Sequence, residues 1–420
     1  MLRNKLFLIL IAALALRLSL IFVAYHGDLN NNISWGTLAV ERGLNGLYGS
    51  PDANDWPYSA PNQPPLTILM FTGLGLVWRF INSSAWWLNN NFSFFPSGFI
   101  WFWERSGMTL LVKLPSLLAD LGIGYLIYKH FVNEKREKLG RILASVWLFN
   151  PVTWYNSAIW GQTDSVVNFL GLISVWALLS KRLTKFVIFF VGSILFKGSL
   201  ALFAPILLLV AVIQKYSLRE WLSAAFGGVT VILVTSIWFH PYVDLPLWLV
   251  NLYRERILPG EIGYLTANAF NFWWLIDSGK TLDSTLYFGI GARFWGFVIT
   301  SLGLIFALLH VNKKTSKERV FFVLAFVALT SFLFMTRIHE RYLYPFFPYA
   351  TLLLGYIPGF SFAYFVLSVV HILNLYSEFW APPFPLLENI YNFPIFMQTL
   401  SLINIGVFVY LLRLLKSPKL

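Results

Sequence analysis

The densest group of ionisable side chains lies late in an otherwise apolar chain. Arg337-Ile338-His339-Glu340-Arg341 places four ionisable groups within five positions, between two apolar stretches. Each guanidinium offers paired donors that match the oxygens of a phosphate. Arg337, His339 and Arg341 therefore predict a phosphate site, and Glu340 is a candidate contact to a sugar or acceptor.

An early carboxylate is the candidate catalytic base. Asp28 follows the first apolar stretch and precedes Asn30, Asn31 and Asn32. Partial burial and positive neighbours can tune such a carboxylate for proton transfer. The alternative is an interfacial acid that only marks the end of a helix.

Two further segments combine aromatic and amide side chains. Asn156 and Trp160-Gly161-Gln162-Thr163-Asp164 lie in one short crossing between apolar stretches, where polar groups are costly unless they face a cavity. Indole rings stack on the apolar faces of sugars and amides bind hydroxyls, so Asn156, Trp160, Gln162 and Asp164 predict a sugar or acceptor site. The alternative is an aromatic-belt turn.

Prolines hold the segment from Tyr58 to Pro65 extended, and it adds Tyr58 and Asn62 as candidate sugar or acceptor contacts.

Lys197 separates two apolar stretches that are too short to cross a bilayer. We expect a hairpin of broken helices that lines a cavity, with Lys197 either as a second phosphate ligand or as a snorkelling lysine.

Several familiar signatures are absent from the sequence. The chain has no Walker-type loop, no dinucleotide glycine fingerprint, no zinc-binding His pair and no cysteine. It also has no Asp-x-Asp motif, since Asp52 and Asp55 are separated by two residues. We therefore predict no cofactor and no metal ligand, although metal dependence stays open.

Membrane-spanning helices must position these polar segments. Hydrophobic residues make up 57% of the 420 residues and charged residues only 12%, against roughly 25% charged in soluble domains. The net charge of +12 arises from Lys and Arg clusters between apolar stretches, as in cytoplasmic loops, so nucleic acid is not an expected partner.

The apolar stretches predict a single all-α polytopic membrane domain over residues 1–420, with about twelve transmembrane helices. The first span is 6–25 and a long outer loop with interfacial helices covers 26–105. Spans two to seven fall within 106–239, a second outer segment covers 240–284, and spans eight to twelve fall within 285–420. Among them, spans are expected at 141–158, 163–180, 185–196, 198–213, 285–310 and 319–336.

This arrangement puts the basic clusters at 129–141, 181–185 and 313–319 on the cytoplasmic side. Residues 64–82 are apolar enough to span, but a span there would invert every later loop, so we assign them to the outer loop. All four polar segments then face the extracytoplasmic side, which favours a single site on that side.

The order of these motifs resembles the GT-C glycosyltransferases. The resemblance rests on Asp28, Pro64-Pro65, Lys113-Leu114-Pro115, Ala119-Asp120-Leu121, Asn150-Pro151, Trp160 to Asp164, Phe196-Lys197, Asn268-Ala269-Phe270-Asn271 with Trp273, and His339 to Tyr342. It runs from the first span to about residue 350 and is nearest to prokaryotic mannosyltransferases related to the second mannosyltransferase of GPI-anchor assembly.

The resemblance implies a prokaryotic plasma-membrane enzyme with an extracytoplasmic active site beneath the first outer loop. The donor would be a polyprenyl-phosphate sugar, and the transfer would invert the anomeric centre. Asp28 matches the first-loop catalytic acid, the His339 segment matches a motif near the donor phosphate, and Asn271 belongs to a motif of the second outer segment. The acceptor is left open among a lipid-linked glycan, a glycolipid and a protein.

Two other functions stay open at this point. A transporter or flippase of a lipid-linked or anionic substrate would use the same charges along its pathway. It would also spread polar residues through the spans and show an inverted repeat, and the sequence shows no such repeat. A membrane scaffold would not require the ionisable groups from Arg337 to Arg341.

Overall fold

The computed structural model describes residues 2–49, 56–257, 263–277, 279–312 and 315–415. These ranges are mostly helical, and the strands within them are limited to one short antiparallel hairpin, β1 (Leu286–Tyr287) and β2 (Ile290–Gly291). The first helices are α1 (Leu2–Leu20), α2 (Asp28–Arg42), α3 (Pro65–Asn91), α4 (Ser97–Asn133), α5 (Glu137–Phe149), α6 (Pro151–Trp154), α7 (Asp164–Leu179), α8 (Leu183–Phe196) and α9 (Ala204–Ile213). They are followed by α10 (Leu218–Ser236), α11 (Leu245–Leu252), α12 (Phe272–Ile276), α13 (Ala292–Leu309), α14 (Lys317–Phe334), α15 (Phe346–Leu353), α16 (Phe360–Phe379), α17 (Pro385–Tyr391) and α18 (Pro394–Leu415).

The helices support a membrane-embedded protein. Within the described ranges, six helices are long and apolar enough to cross a membrane: α3, α4, α10, α13, α16 and α18. The apolar helices α7 and α8 and the segment Gly198–Ile213 are shorter. The expected count of about twelve spans is therefore not confirmed, because several predicted spans are divided or short.

Local structure divides one predicted span, shortens a second and interrupts the chain between two others. The stretch 141–158 breaks after α5, where Asn150 accepts a hydrogen bond from the Val152 amide and caps α6, and it continues as a π-helical segment, Tyr155–Trp160. The stretch 285–310 begins with the β-hairpin, so its helix starts only at Ala292. The predicted break at Lys197 is confirmed, since α8 ends at Phe196 and a 3₁₀-helix, Gly198–Phe203, follows.

The expected outer loop at 26–105 contains two helices and the start of a third. The sequence predicts that residues 64–82 belong to the outer loop, but all of them after the N-cap Pro64 lie in the 27-residue helix α3, which meets the length and composition of a span. Paired indole–carbonyl bonds join Trp78 and Trp103, at 3.3 and 3.2 Å, and hold α3 antiparallel to the first part of α4. Helix α2 lies on α3 at Gly36, where a Cβ atom would be 2.5 Å from the Phe71 carbonyl oxygen.

A buried ion pair fixes the core of the bundle. Arg17 of α1 donates to the Asp120 carboxylate of α4 at 3.0 Å, and both side chains are fully buried. The same carboxylate accepts hydrogen bonds from Ser157, Ser165 and Tyr344. Because each partner is satisfied, Asp120 of the Ala119-Asp120-Leu121 motif joins helices and does not face the candidate site.

Lys113 of α4 likewise has a structural role. Its ammonium donates to the carbonyl oxygens of Ile21, Ala24 and Ile159, at 2.7, 3.2 and 2.8 Å. These carbonyls follow α1 and lie in the π-helical segment, where carbonyl groups lack partners within the helix. Lys113 thus holds the end of α1 against the segment that leads to Trp160.

The loops predicted to be cytoplasmic meet at the opposite end of the bundle. Glu134, after α4, pairs with Lys317 at the start of α14, and Arg136 donates to the Gly355 carbonyl after α15. The Tyr356 hydroxyl contacts both Glu134 and His130. Loops that are distant in sequence therefore share one end, as the basic clusters suggest.

Candidate functional site

A polar cavity of about 340 Å³ lies at the other end of the bundle. Its volume is within the range of small-molecule sites, about 300–1,000 Å³. The lining includes many of the residues predicted from the sequence: Asp28, Asn62, Trp160, Gln162, Lys197, His339, Glu340 and Arg341. Segments separated by more than 300 positions thus contribute to one site.

Asp28 begins α2 and is oriented by its neighbours. Gln162 donates from Nε2 to Asp28 Oδ2 at 2.6 Å, and His26 Nδ1 is 3.5 Å from the same oxygen. Burial alone would raise the pKa of Asp28, but Arg341, His26 and Gln162 together hold it below its usual value. The side chain is therefore a carboxylate at neutral pH.

Gly161 gives Gln162 its position. It has a φ of 86°, in the left-handed region that glycine adopts without strain. A Cβ atom there would be 2.8 Å from Leu29 and 3.0 Å from Lys113. The glycine ends the π-helical segment Tyr155–Trp160 and directs the following amide side chain towards Asp28.

The Arg341 guanidinium is one of the cations that line the cavity. Its Nη1 donates to Glu340 Oε1 at 2.8 Å, and only 1% of Glu340 is exposed. Its Nε is buried and has no hydrogen-bond partner among the described residues. Burial alone would lower the pKa of Arg341, but the neighbouring Glu340 and Asp28 raise it above its usual value. The guanidinium therefore remains charged.

Lys197 is the second cation of the group. It donates to Asp164 Oδ1 at 2.8 Å, and its ammonium lies 5.4 Å from the centre of the Tyr342 ring. The Arg341 guanidinium carbon lies 5.6 Å from the centre of the same ring, so Tyr342 is close to two cations. Burial together with Arg341 and Lys197 lowers the pKa of His339 well below its usual value, so its ring is neutral.

Aromatic rings form one wall of the cavity. The Trp160 ring lies 4.8 Å from the His26 ring and 5.9 Å from the Phe379 ring, measured between centres. The Trp160 side chain also helps to lower the pKa of Asp28. Only 1% of Trp160 is exposed, so its ring supports the wall of the cavity and presents little free surface to a sugar.

The outer loop is folded back onto the cavity by α2. Asn31 accepts hydrogen bonds from the amide and hydroxyl of Ser59, at 3.0 and 2.8 Å. Trp35 donates to the Ser59 carbonyl at 2.7 Å, and Tyr48 donates to the Gln63 carbonyl at 2.6 Å. These bonds place Asn62 and Gln63 in the lining.

Other predicted site residues lie outside the lining. Arg337 pairs with Asp283 through Nε at 2.7 Å and Nη2 at 3.1 Å, which ties the turn to the second outer segment. Asn271 accepts from the Trp273 and Trp274 amides and caps α12. We therefore no longer propose Arg337 or Asn271 as ligands.

The remaining predicted residues surround the cavity without lining it. Asn156 is fully buried in the π-helical segment, and 60% of Tyr58 is exposed away from the cavity. Asp164 does not line the cavity, but it accepts a hydrogen bond from Lys197, which does. Asp52 and Asp55, the alternative carboxylates, lie outside the described residues.

Sequence reasoning missed several lining residues, chiefly His26, Arg256 and Glu378. Glu378 lies near the end of α16 and accepts a hydrogen bond from Asn268. Each could have been noticed by the argument applied to Arg341, because an ionisable side chain beside an apolar stretch requires a partner. Within the described part of the chain, no cluster of three or more His or acidic side chains is arranged to hold a metal ion.

Comparison with known proteins adds no family assignment. No protein-family model matches the chain, and no curated protein matches it.

Proposed function

We propose that the chain is a membrane glycosyltransferase that transfers a sugar, with inversion, from a polyprenyl-phosphate donor to a glycan, glycolipid or protein acceptor on the extracytoplasmic side. The observation that supports this most is a carboxylate and a guanidinium that line one cavity, Asp28 held in its charged form and Arg341 paired on one side with Glu340. Mannose is the favoured sugar because of the resemblance described above.

The chemistry of transfer requires both groups. An acceptor hydroxyl attacks the anomeric carbon while the bond to the phosphate oxygen breaks, so a proton leaves the acceptor and negative charge grows on the phosphate. Asp28 takes the proton, and Arg341, with Lys197 beside it, stabilises the departing phosphate. Because the hydroxyl becomes acidic as the glycosyl bond forms, a carboxylate of low basicity is sufficient.

A reconstituted assay tests the proposal. Purified protein in liposomes is given polyprenyl-phosphate mannose, polyprenyl-phosphate glucose or nucleotide sugars, each with a pool of membrane glycolipids. We expect transfer only from a polyprenyl-phosphate sugar, with the product's anomeric configuration opposite to that of the donor. Movement of labelled lipid across the bilayer without any new glycosidic bond would instead identify a flippase.

A further inference from the structure

The β1–β2 hairpin presents an apolar tip at the surface of the chain. Leu286 pairs with Gly291 and Tyr287 with Ile290, so Phe288 and Gly289 form a two-residue turn. Three of these side chains are large, apolar and exposed: Leu286 is 67% exposed, Phe288 97% and Ile290 38%. A cluster of exposed apolar side chains marks a surface that contacts another apolar phase.

The geometry of the turn does not explain why a phenylalanine occupies it. Phe288 has a φ of 54° and Gly289 a φ of 79°, so both central residues of the turn lie in the left-handed region. Turns of this type favour Asn, Asp or Gly at these positions, and a bulky side chain in the left-handed region is an outlier. Such an outlier points to a function, and here the ring is also almost completely exposed. The Phe288 ring therefore has a role outside the folded chain.

The hairpin is fixed to the rest of the chain. The Trp295 indole of α13 donates to the Tyr287 carbonyl at 2.8 Å, and the Tyr287 ring lies 6.4 Å from the Trp273 ring. Before the hairpin, Asp283 pairs with Arg337, which precedes the turn that lines the polar cavity. The tip thus has a defined position beside the start of α13, at the end of the bundle that contains the polar cavity.

Helix α13 indicates what covers the tip. It begins at Ala292, directly after β2, and is long and apolar enough to cross a membrane, yet only 17% of its residues are buried within the chain. Phe294 and Phe297 are 55% and 65% exposed. A helix of this composition and exposure faces lipid, so the apolar tip continues its lipid-facing surface. Arg293 is exposed in the first turn of α13, where a cation can reach the lipid phosphates.

We infer that the hairpin tip inserts into the surrounding bilayer, in the leaflet on the side of the polar cavity. Phe288 lies at the boundary between headgroups and acyl chains, a depth at which aromatic side chains are common in membrane proteins, and Arg293 lies at the phosphates. The partner is the glycerophospholipid of that leaflet. Through Asp283 and Arg337, the inserted tip fixes the second outer segment relative to the bilayer. The inference goes beyond the proposed function, since it applies whether or not the chain transfers a sugar.

Fluorescence quenching in nanodiscs tests the inference on the complete chain. Because the sequence contains no cysteine, an introduced cysteine at Phe288, Phe297 or Tyr58 carries a single environment-sensitive label. Phe297→Cys is the lipid reference on α13, and Tyr58→Cys is the aqueous reference in the predicted outer loop. The quenchers are phosphatidylcholine with a nitroxide on the acyl chain close to the headgroup, and iodide in solution. We expect the label at Phe288→Cys to be quenched by the nitroxide lipid and to be less accessible to iodide than the label at Tyr58→Cys. Quenching by iodide as strong as at Tyr58→Cys, with no quenching by the nitroxide lipid, overturns the inference.

A second measurement tests the Phe288 ring itself, with the label at Leu286→Cys on the adjoining strand. Phe288→Asn suits the left-handed turn but removes the ring, whereas Phe288→Trp keeps an aromatic ring. We expect Phe288→Asn to increase quenching by iodide and decrease quenching by the nitroxide lipid, and Phe288→Trp to leave both unchanged. Ile276→Asn is the control, because it removes a 41% exposed apolar side chain of the same outer segment outside the hairpin.

The outcomes of this second measurement are distinct. Equal quenching in the Phe288→Asn variant and in the chain with Phe288 overturns the inference, provided that the melting temperatures agree. A change with Phe288→Asn that Ile276→Asn does not reproduce supports it. Neither measurement requires transfer, so failure of the proposed function would leave both results interpretable.

Discussion

Replacement of Asp28 by Asn is the sharpest test of the proposed chemistry. The substitution keeps the shape of the side chain, and the Asn amide oxygen can still accept the 2.6 Å hydrogen bond from Gln162. It removes the negative charge that takes the acceptor's proton. General-base catalysis contributes typically 10²–10⁴-fold, so kcat should fall by roughly a hundredfold or more, about 2.7 kcal/mol of the activation barrier.

The assay compares initial rates of transfer in liposomes at saturating donor. Asp244→Asn is the matched control, because Asp244 also pairs with a histidine, His240 at 2.8 Å, but does not line the cavity. We expect Asp244→Asn to retain the wild-type rate within about twofold. Turnover by Asp28→Asn at the wild-type rate, with an unchanged melting temperature, would refute the assignment of the base.

Three further predictions follow from the described contacts. Asp120→Ala should lower the free energy of unfolding in mixed micelles by about 3–5 kcal/mol, since it leaves the buried guanidinium of Arg17 without its carboxylate; an unchanged value would contradict this. Because the pKa of Asp28 is lowered, transfer should persist as pH falls through its ordinary value near 4 and be lost only below it; loss already at pH 6 would exclude this base. A cysteine introduced at Tyr58, in the predicted outer loop, should react with an impermeant reagent applied from outside, and one at Lys138, in a predicted cytoplasmic loop, should not. The sequence contains no other cysteine, so the labelling reports only the introduced one, and the reverse pattern would invert the topology.

The sequence predicts the composition of the site better than its geometry. Residue types and charge placement identify Asp28, Lys197 and Arg341, because such groups are costly beside apolar spans unless they have a function or a partner. The broken helix at Lys197 is also predictable, since the apolar stretches on either side are too short to cross. These predictions depend on the energetic cost of a polar group within an apolar stretch, which can be judged from one sequence alone.

Partner choice between distant segments is not predictable in this way. Asp120 appears in the sequence as one acid within an apolar stretch, and its pairing with Arg17 depends on the packing of α1 against α4. The same holds for Asn271, which caps α12 but also donates to the carbonyl oxygen of the distant Phe332 at 3.3 Å. A lone polar residue near a span therefore indicates that a partner exists but not whether it is protein or ligand.

The outer arginines show how the structure resolves that ambiguity. The topology predicted from the basic clusters places Arg337, Arg341 and Arg256 on the outer side, where the positive-inside rule makes an arginine unexpected. Arg337 is accounted for by two hydrogen bonds to Asp283, so its charge is used within the protein. Arg341 is paired on one side only, and the Nη1 of Arg256 has no partner among the described residues. Arg341 and Arg256 both line the cavity and come from different segments of the chain. One anionic ligand bound in the cavity would account for both arginines.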